Sequence, residues 1–140
     1  MKQLWYALVL FFASLGAFAA ANDPVKVVYQ FSDGEAQATQ GLRNIKNHLT
    51  ADPGAKIVAV AYADGVSFML DGATDKGGYP YQLQVQELVA KGVTFEVCNF
   101  TLTNRKIDKS KVIPEARIVP SGVAEIARLQ AKEGYVYLKP

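Results

Sequence analysis

From Val25 to Phe31 the chain reads VKVVYQF, with Val25, Val27, Tyr29 and Phe31 on one side and β-branched or aromatic residues throughout. This alternation predicts a strand. After Asp33-Gly34 breaks the run, apolar residues recur at Ala38, Leu42, Ile45 and Leu49, the i, i+4, i+7, i+11 spacing of one helix face. Asp52-Pro53-Gly54 ends that helix. KIVAVAYA (Lys56 to Ala63) is apolar almost without a gap. A strand covered on both faces in a parallel sheet has that composition, which predicts a central strand.

Past Asp64-Gly65, Val66, Met69 and Leu70 fall on one side of a short helix, and DKGGYP (Asp75 to Pro80) is a loop. Tyr81, Val85, Leu88 and Val89 mark a second amphipathic helix, closed by Gly92 in the left-handed position that follows many helices. VTFEVC (Val93 to Cys98) is the third strand, with Val93, Phe95 and Val97 on one face and Thr94, Glu96 and Cys98 on the other. ARIV (Ala116 to Val119) is a short fourth strand. Ser121 then caps a helix with Glu125 near its first turn, running to about Lys132 and stopped by Gly134, and YVYL (Tyr135 to Leu138) is the last strand. Strands alternating with helices imply right-handed βαβ units, hence a three-layer α/β/α sandwich with a mainly parallel sheet of about five strands.

The N-terminus sets the expected compartment. Lys2, an uncharged run from Leu4 to Phe18 and alanines at 17, 19, 20 and 21 read as a secretory signal peptide over residues 1–21, cleaved after Ala19 or Ala21. A retained membrane anchor is the alternative. Residues 22–140 are then one periplasmic or secreted domain, with no membrane association after cleavage. The chain carries 15 Lys+Arg against 13 Asp+Glu, interspersed, so nothing suggests a nucleic-acid partner. One cysteine closes no intramolecular disulfide, and one histidine with one cysteine makes no structural zinc site. No phosphate-binding or dinucleotide glycine motif and no G-x-S-x-G occurs, and no cofactor is expected.

The chemistry that remains centres on FEVCNFTLTNRKID (Phe95 to Asp108). Open parallel sheets bind ligands beyond the carboxyl ends of their strands, and Cys98 ends one. Asn99 or Thr101 is placed to cap a helical turn through Arg105, and a helix N-terminus beside a thiol favours the thiolate, with Arg105 or Lys106 adding to it if they fold back. Packing is the competing role, since free cysteines are often simply buried. Asp33 and Asp64 follow the first two strands and share that sheet edge, as turns or as the lining of one pocket with Cys98. His48 lies one step from the core positions of its helix, within reach of a subunit interface or a ligand. Ser121-Gly122 at a helix start offers backbone N–H groups to an anion, though capping alone explains it.

FEVCNFTLTNRKID, GLRNIKNHL (Gly41 to Leu49) and the tail from Val112 to Pro140 together resemble the DsrE/DsrF-like family in its exported branch, over about Val25 to Pro140. The resemblance implies a single α/β/α domain, homotrimers or homohexamers, and sulfur carried as a cysteine persulfide and relayed between partner proteins. Cys98 matches a family cysteine at the end of the third strand and Arg105 an arginine after it. Where some relatives have a second cysteine, this chain has Thr101. Two functions follow as expectations: a sulfur carrier with a Cys98 persulfide, exchanging with a donor or acceptor protein, or a non-enzymatic oligomeric small-ligand-binding protein. In the latter Cys98 is packed and Tyr79, Tyr81 and the DKGGYP loop matter more.

Overall fold

The computed structural model describes residues 23–140; the leader proposed for 1–21 lies outside them. Five strands, β1 (Lys26–Phe31), β2 (Lys56–Ala61), β3 (Thr94–Cys98), β4 (Ala116–Val119) and β5 (Val136–Leu138), form one all-parallel sheet in the order β4-β3-β2-β1-β5. The apolar run at 56–61 takes the middle place its composition predicts. Helices α1 (Glu35–Ala51), α2 (Tyr81–Val89), α3 (Asn99–Asn104) and α4 (Gly122–Glu133) connect them, with 3-10 turns at Ala63–Met69 and Lys109–Lys111.

The sheet order dictates the layers. From β1 to β4 each strand is added on the same side of its predecessor, so right-handed crossovers put α1, α2 and α3 on one face. The last connection jumps from β4 back past β1, which sends α4 to the other face. The packing agrees. Ala38, Leu42, Ile45 and Leu49 of α1, Tyr81, Val85 and Leu88 of α2 and Leu102 of α3 share a core with Val27, Tyr29, Phe31, Phe95 and Val97. Ile126 and Leu129 of α4 cover Val28, Val58 and Val60 on the opposite face. That second core is much the smaller, and one helix supplies its outer wall.

Local signals act where expected. The Ser121 hydroxyl accepts the Ala124 N–H at 3.3 Å, and Gly92 has φ +91° just past α2. Three details differ from the expectation. Val89 is 37% exposed, because it is the last residue of α2 and Leu88 beside it takes the buried position of that turn. The residue capping α3 is Cys98 itself, neither Asn99 nor Thr101. Tyr135 precedes the last strand, which pairs with β1 only from Val136.

Candidate functional site

Cys98 ends β3 and opens α3. Next to it in the sheet Val119 ends β4, paired in register with Cys98, and the chain there turns through Ser121 into α4. Because α3 goes to one face and α4 to the other, the crevice where neighbouring connections diverge lies between β3 and β4. In open α/β sheets that switch point is where ligands bind. The thiol sits at it.

Val97 is in the larger core, so Cys98, one residue on, faces the α4 side. Burial pushes its thiol pKa up. Against this, the polarised N–H groups of Gly122 at the start of α4 and of Phe100 and Thr101 at the start of α3, together with the Thr101 hydroxyl, lie near the sulfur and hold the pKa below the ordinary thiol value, while the Phe100 N–H itself is donated to the Pro120 carbonyl at 3.3 Å. The Thr101 hydroxyl oxygen accepts the Ala63 N–H at 3.0 Å, which leaves its own proton for the sulfur. Cys98 is only 5% exposed, while Phe100 (61%) and Val123 (58%) stand out on either side of it. A stabilised thiolate can attack a sulfur atom without a general base.

One pleat away on the same face, the Glu96 carboxylate is wholly buried. Its Oε1 accepts Arg117 Nε at 2.8 Å and also Arg117 Nη2, while Oε2 has no partner. Burial raises the Glu96 pKa, the Arg117 hydrogen bond and charge pull it down, and the rise prevails. The Asn99 side-chain oxygen, next to the thiol in sequence, is likewise buried without a partner.

The other candidate residues divide. Thr101 lies in the first turn of α3 and helps lower the thiol pKa. Arg105 pairs with Asp64, which ties α3 to the turn after β2 and engages the guanidinium expected to fold back on the sulfur. Asp33 lies two strands from Cys98 on the same edge, where it pairs with Lys139 at 3.4 Å. His48 is elsewhere: its Nδ1 meets the Tyr29 hydroxyl at 2.9 Å, and Tyr29 belongs to the larger core, so the imidazole is on the face of the sheet away from Cys98. Tyr81 is buried with its hydroxyl 2.7 Å from Thr39 Oγ1, a packing residue. Tyr79 lines a cavity of about 550 Å³ between α1 and α2, with Arg43, Lys46 and Lys91 on its walls. That cavity does not include Cys98 or any other strand-edge residue named above.

The sequence did not single out Gly122 as a neighbour of Cys98. The Ser121-Gly122 helix start was visible as a cap; that it opens onto the thiol depends on β4 lying beside β3. Among the described residues no three His, Cys, Asp or Glu side chains group so as to hold a metal ion, and no helix is long and apolar enough to cross a membrane.

Fold and site define a parallel α/β/α domain with a single thiol at its switch point, beside the starts of two helices. The chain belongs to the DsrE/DsrF-like family, whose model matches residues 25–140, and that family is associated with sulfur relay. Among solved structures, the chain is similar to MTH1491 from Methanobacterium thermoautotrophicum, with TM-score 0.73 and 29% identity over 83% of this chain and 99% of that one. The ychN protein from E. coli gives 0.66 and 18%, over 84% and 99%. BT1422 from Bacteroides thetaiotaomicron gives 0.61 and 18%, over 87% and 98%. No curated protein matches.

Proposed function

We propose that this protein is an exported sulfur carrier whose Cys98 holds a sulfane sulfur as a persulfide. The observation that carries the reading is the placement of the Cys98 thiol at the switch point, where it caps the start of α3 and lies so close to Gly122 at the start of α4 that a Cβ built there would be 3.3 Å from Cys98 Cβ; these helix starts lower the thiol pKa against its burial. The Cys98 thiolate attacks the outer sulfur of a donor persulfide, R–S–SH. The new S–S bond forms as the donor's breaks, giving Cys98–S–SH and R–S⁻, and the same exchange with an acceptor thiolate discharges it. Each step moves one neutral sulfur and needs no external oxidant or reductant. The donors that stabilise the thiolate also stabilise the departing Cys98 sulfur in the second step.

Export is supported by the charge and hydropathy pattern of residues 1–21. A homotrimer or homohexamer is supported by the apolar residues left exposed on both edge strands, Ile118 on β4 and Val136, Tyr137 and Leu138 on β5. The test is the pH dependence of Cys98 alkylation in the purified protein, followed by intact mass after exposure to polysulfide. The reading expects a depressed titration midpoint and a mass gain of one sulfur atom that Cys98→Ser abolishes. A thiol that reacts only after unfolding would overturn it and direct the search to the cavity beside Tyr79.

A further inference from the structure

We propose that Tyr62, which no comparison assigns a role, is a positioning residue of the Cys98 site: its ring is the stop that seats the start of α4 over the sulfur. The purpose of this arrangement rests on the sulfur-carrier reading; the arrangement itself rests on geometry. Tyr62 is the first residue after β2, extended at φ −146° and ψ 175°, with its N–H donated to the Phe31 carbonyl at 3.0 Å. Its side chain packs on the small core beneath α4. There it meets Gly122 so closely that a Cβ built on that glycine would lie 3.1 Å from Tyr62 Cβ and 3.3 Å from both Tyr62 Cδ1 and Cys98 Cβ. Gly122 is therefore wedged between the tyrosine and the cysteine, and that contact sets how the start of α4 approaches the thiol.

The ring is itself held from its far end. The Tyr62 hydroxyl accepts Gln30 Nε2, and Gln30 Oε1 accepts the Tyr137 hydroxyl. Gln30 is a buried amide with one end engaged by each tyrosine, so it fixes the direction of the Tyr62 ring. The next residue completes the bracket, because the Ala63 N–H occupies the Thr101 oxygen and so turns the Thr101 proton toward the sulfur. Two consecutive residues at the end of β2 thus control donors that reach Cys98 from both α3 and α4.

The experiment compares Tyr62→Ala, Tyr62→Phe and Gln30→Leu with the parent protein in three readouts: the pH profile of Cys98 alkylation by iodoacetamide, the Gly122 amide resonance through the same titration, and the unfolding midpoint. Losing one N–H bond to a thiolate slows alkylation near neutral pH by about tenfold and leaves the high-pH plateau unchanged. Tyr62→Ala is expected to show this, with a Gly122 resonance that no longer follows the thiol. Tyr62→Phe and Gln30→Leu, which free the ring but leave an aromatic wedge, are expected to move the profile the same way by less. If Tyr62→Ala fails to fold, those two decide. Variants that lose stability while keeping the parent profile and Gly122 tracking would overturn the proposal, leaving Tyr62 as packing. A parent thiol with an ordinary profile would instead overturn the sulfur-carrier reading, so the two failures are distinct.

Discussion

Replacing Thr101 with valine tests the site at one atom. Valine keeps the β-branched shape and exchanges the hydroxyl for a methyl, so α3 loses little besides the hydrogen bond Thr101 accepts from Ala63 N–H at 3.0 Å and the pull of its hydroxyl on the nearby Cys98 thiolate. A hydrogen bond to an ionised group is worth roughly 1.5–3 kcal/mol. Sulfur is a diffuse acceptor and the polarised backbone of both helix starts remains, which points to the lower end, about a tenfold loss of thiolate below the titration midpoint. Ala63 N–H loses its acceptor near solvent, at a cost of about 1 kcal/mol in stability. The assay is the iodoacetamide rate constant across the pH range for the parent, Thr101→Val and Thr101→Ser. Thr101→Val should shift the curve to higher pH, Thr101→Ser should restore it, and all three should converge where every thiol is ionised. Curves for the parent and Thr101→Val that superimpose would refute the claim that this hydroxyl serves the thiol.

Four further outcomes follow from the same geometry. Gly122→Ala puts a methyl where two Cβ atoms already crowd the space; it should cost about 1–3 kcal/mol by denaturant unfolding and slow alkylation near neutral pH. Gly65→Ala would bring a Cβ to 2.1 Å from the Phe31 carbonyl oxygen, a backbone clash without a flexible partner, and should cost about 3 kcal/mol or more. Arg117→Ala leaves the buried Glu96 carboxylate uncompensated; loss of a buried partner costs about 3–5 kcal/mol, and because Arg117 is itself well exposed we expect roughly 2. The Glu96 pKa is raised in the fold and Arg117 holds it down, so removing Arg117 raises it further, and the Arg117→Ala deficit should be small while Glu96 is protonated in both proteins and grow as pH rises through the parent's raised value toward the variant's higher one, measured as unfolding midpoint against pH. Cys98 carries the opposite sign: a thiol whose folded pKa is depressed adds stability that is complete above the unfolded pKa and is lost as pH falls through the folded one, so the parent should gain on Cys98→Ser as pH is raised through that window.

The parts of this protein that were legible in the sequence are those set by periodicity within one segment. Ala38, Leu42, Ile45 and Leu49 lie on one helix face whatever they pack against, and the unbroken KIVAVA run requires cover on both sides, hence a central place in a parallel sheet. What stayed hidden depends on strand order. Nothing local says that β5 pairs with β1 and not with β4, yet that jump sends α4 across the sheet and makes the β3–β4 edge the switch point. Only then does Gly122 come over Cys98, 24 positions away in the chain. The same dependence explains His48 and Arg105. A histidine one step off an apolar stripe looks free until the strand beneath is known to offer the Tyr29 hydroxyl. An arginine seven residues after the thiol looks available until Asp64 is found beside it. Cys98 could be marked in the sequence because a strand end is a local feature. Its thiolate is stabilised chiefly by Gly122, a non-local partner, and by Thr101, whose hydroxyl is oriented by Ala63 on another strand's loop, so the chemistry of the site belongs to the topology more than to the motif.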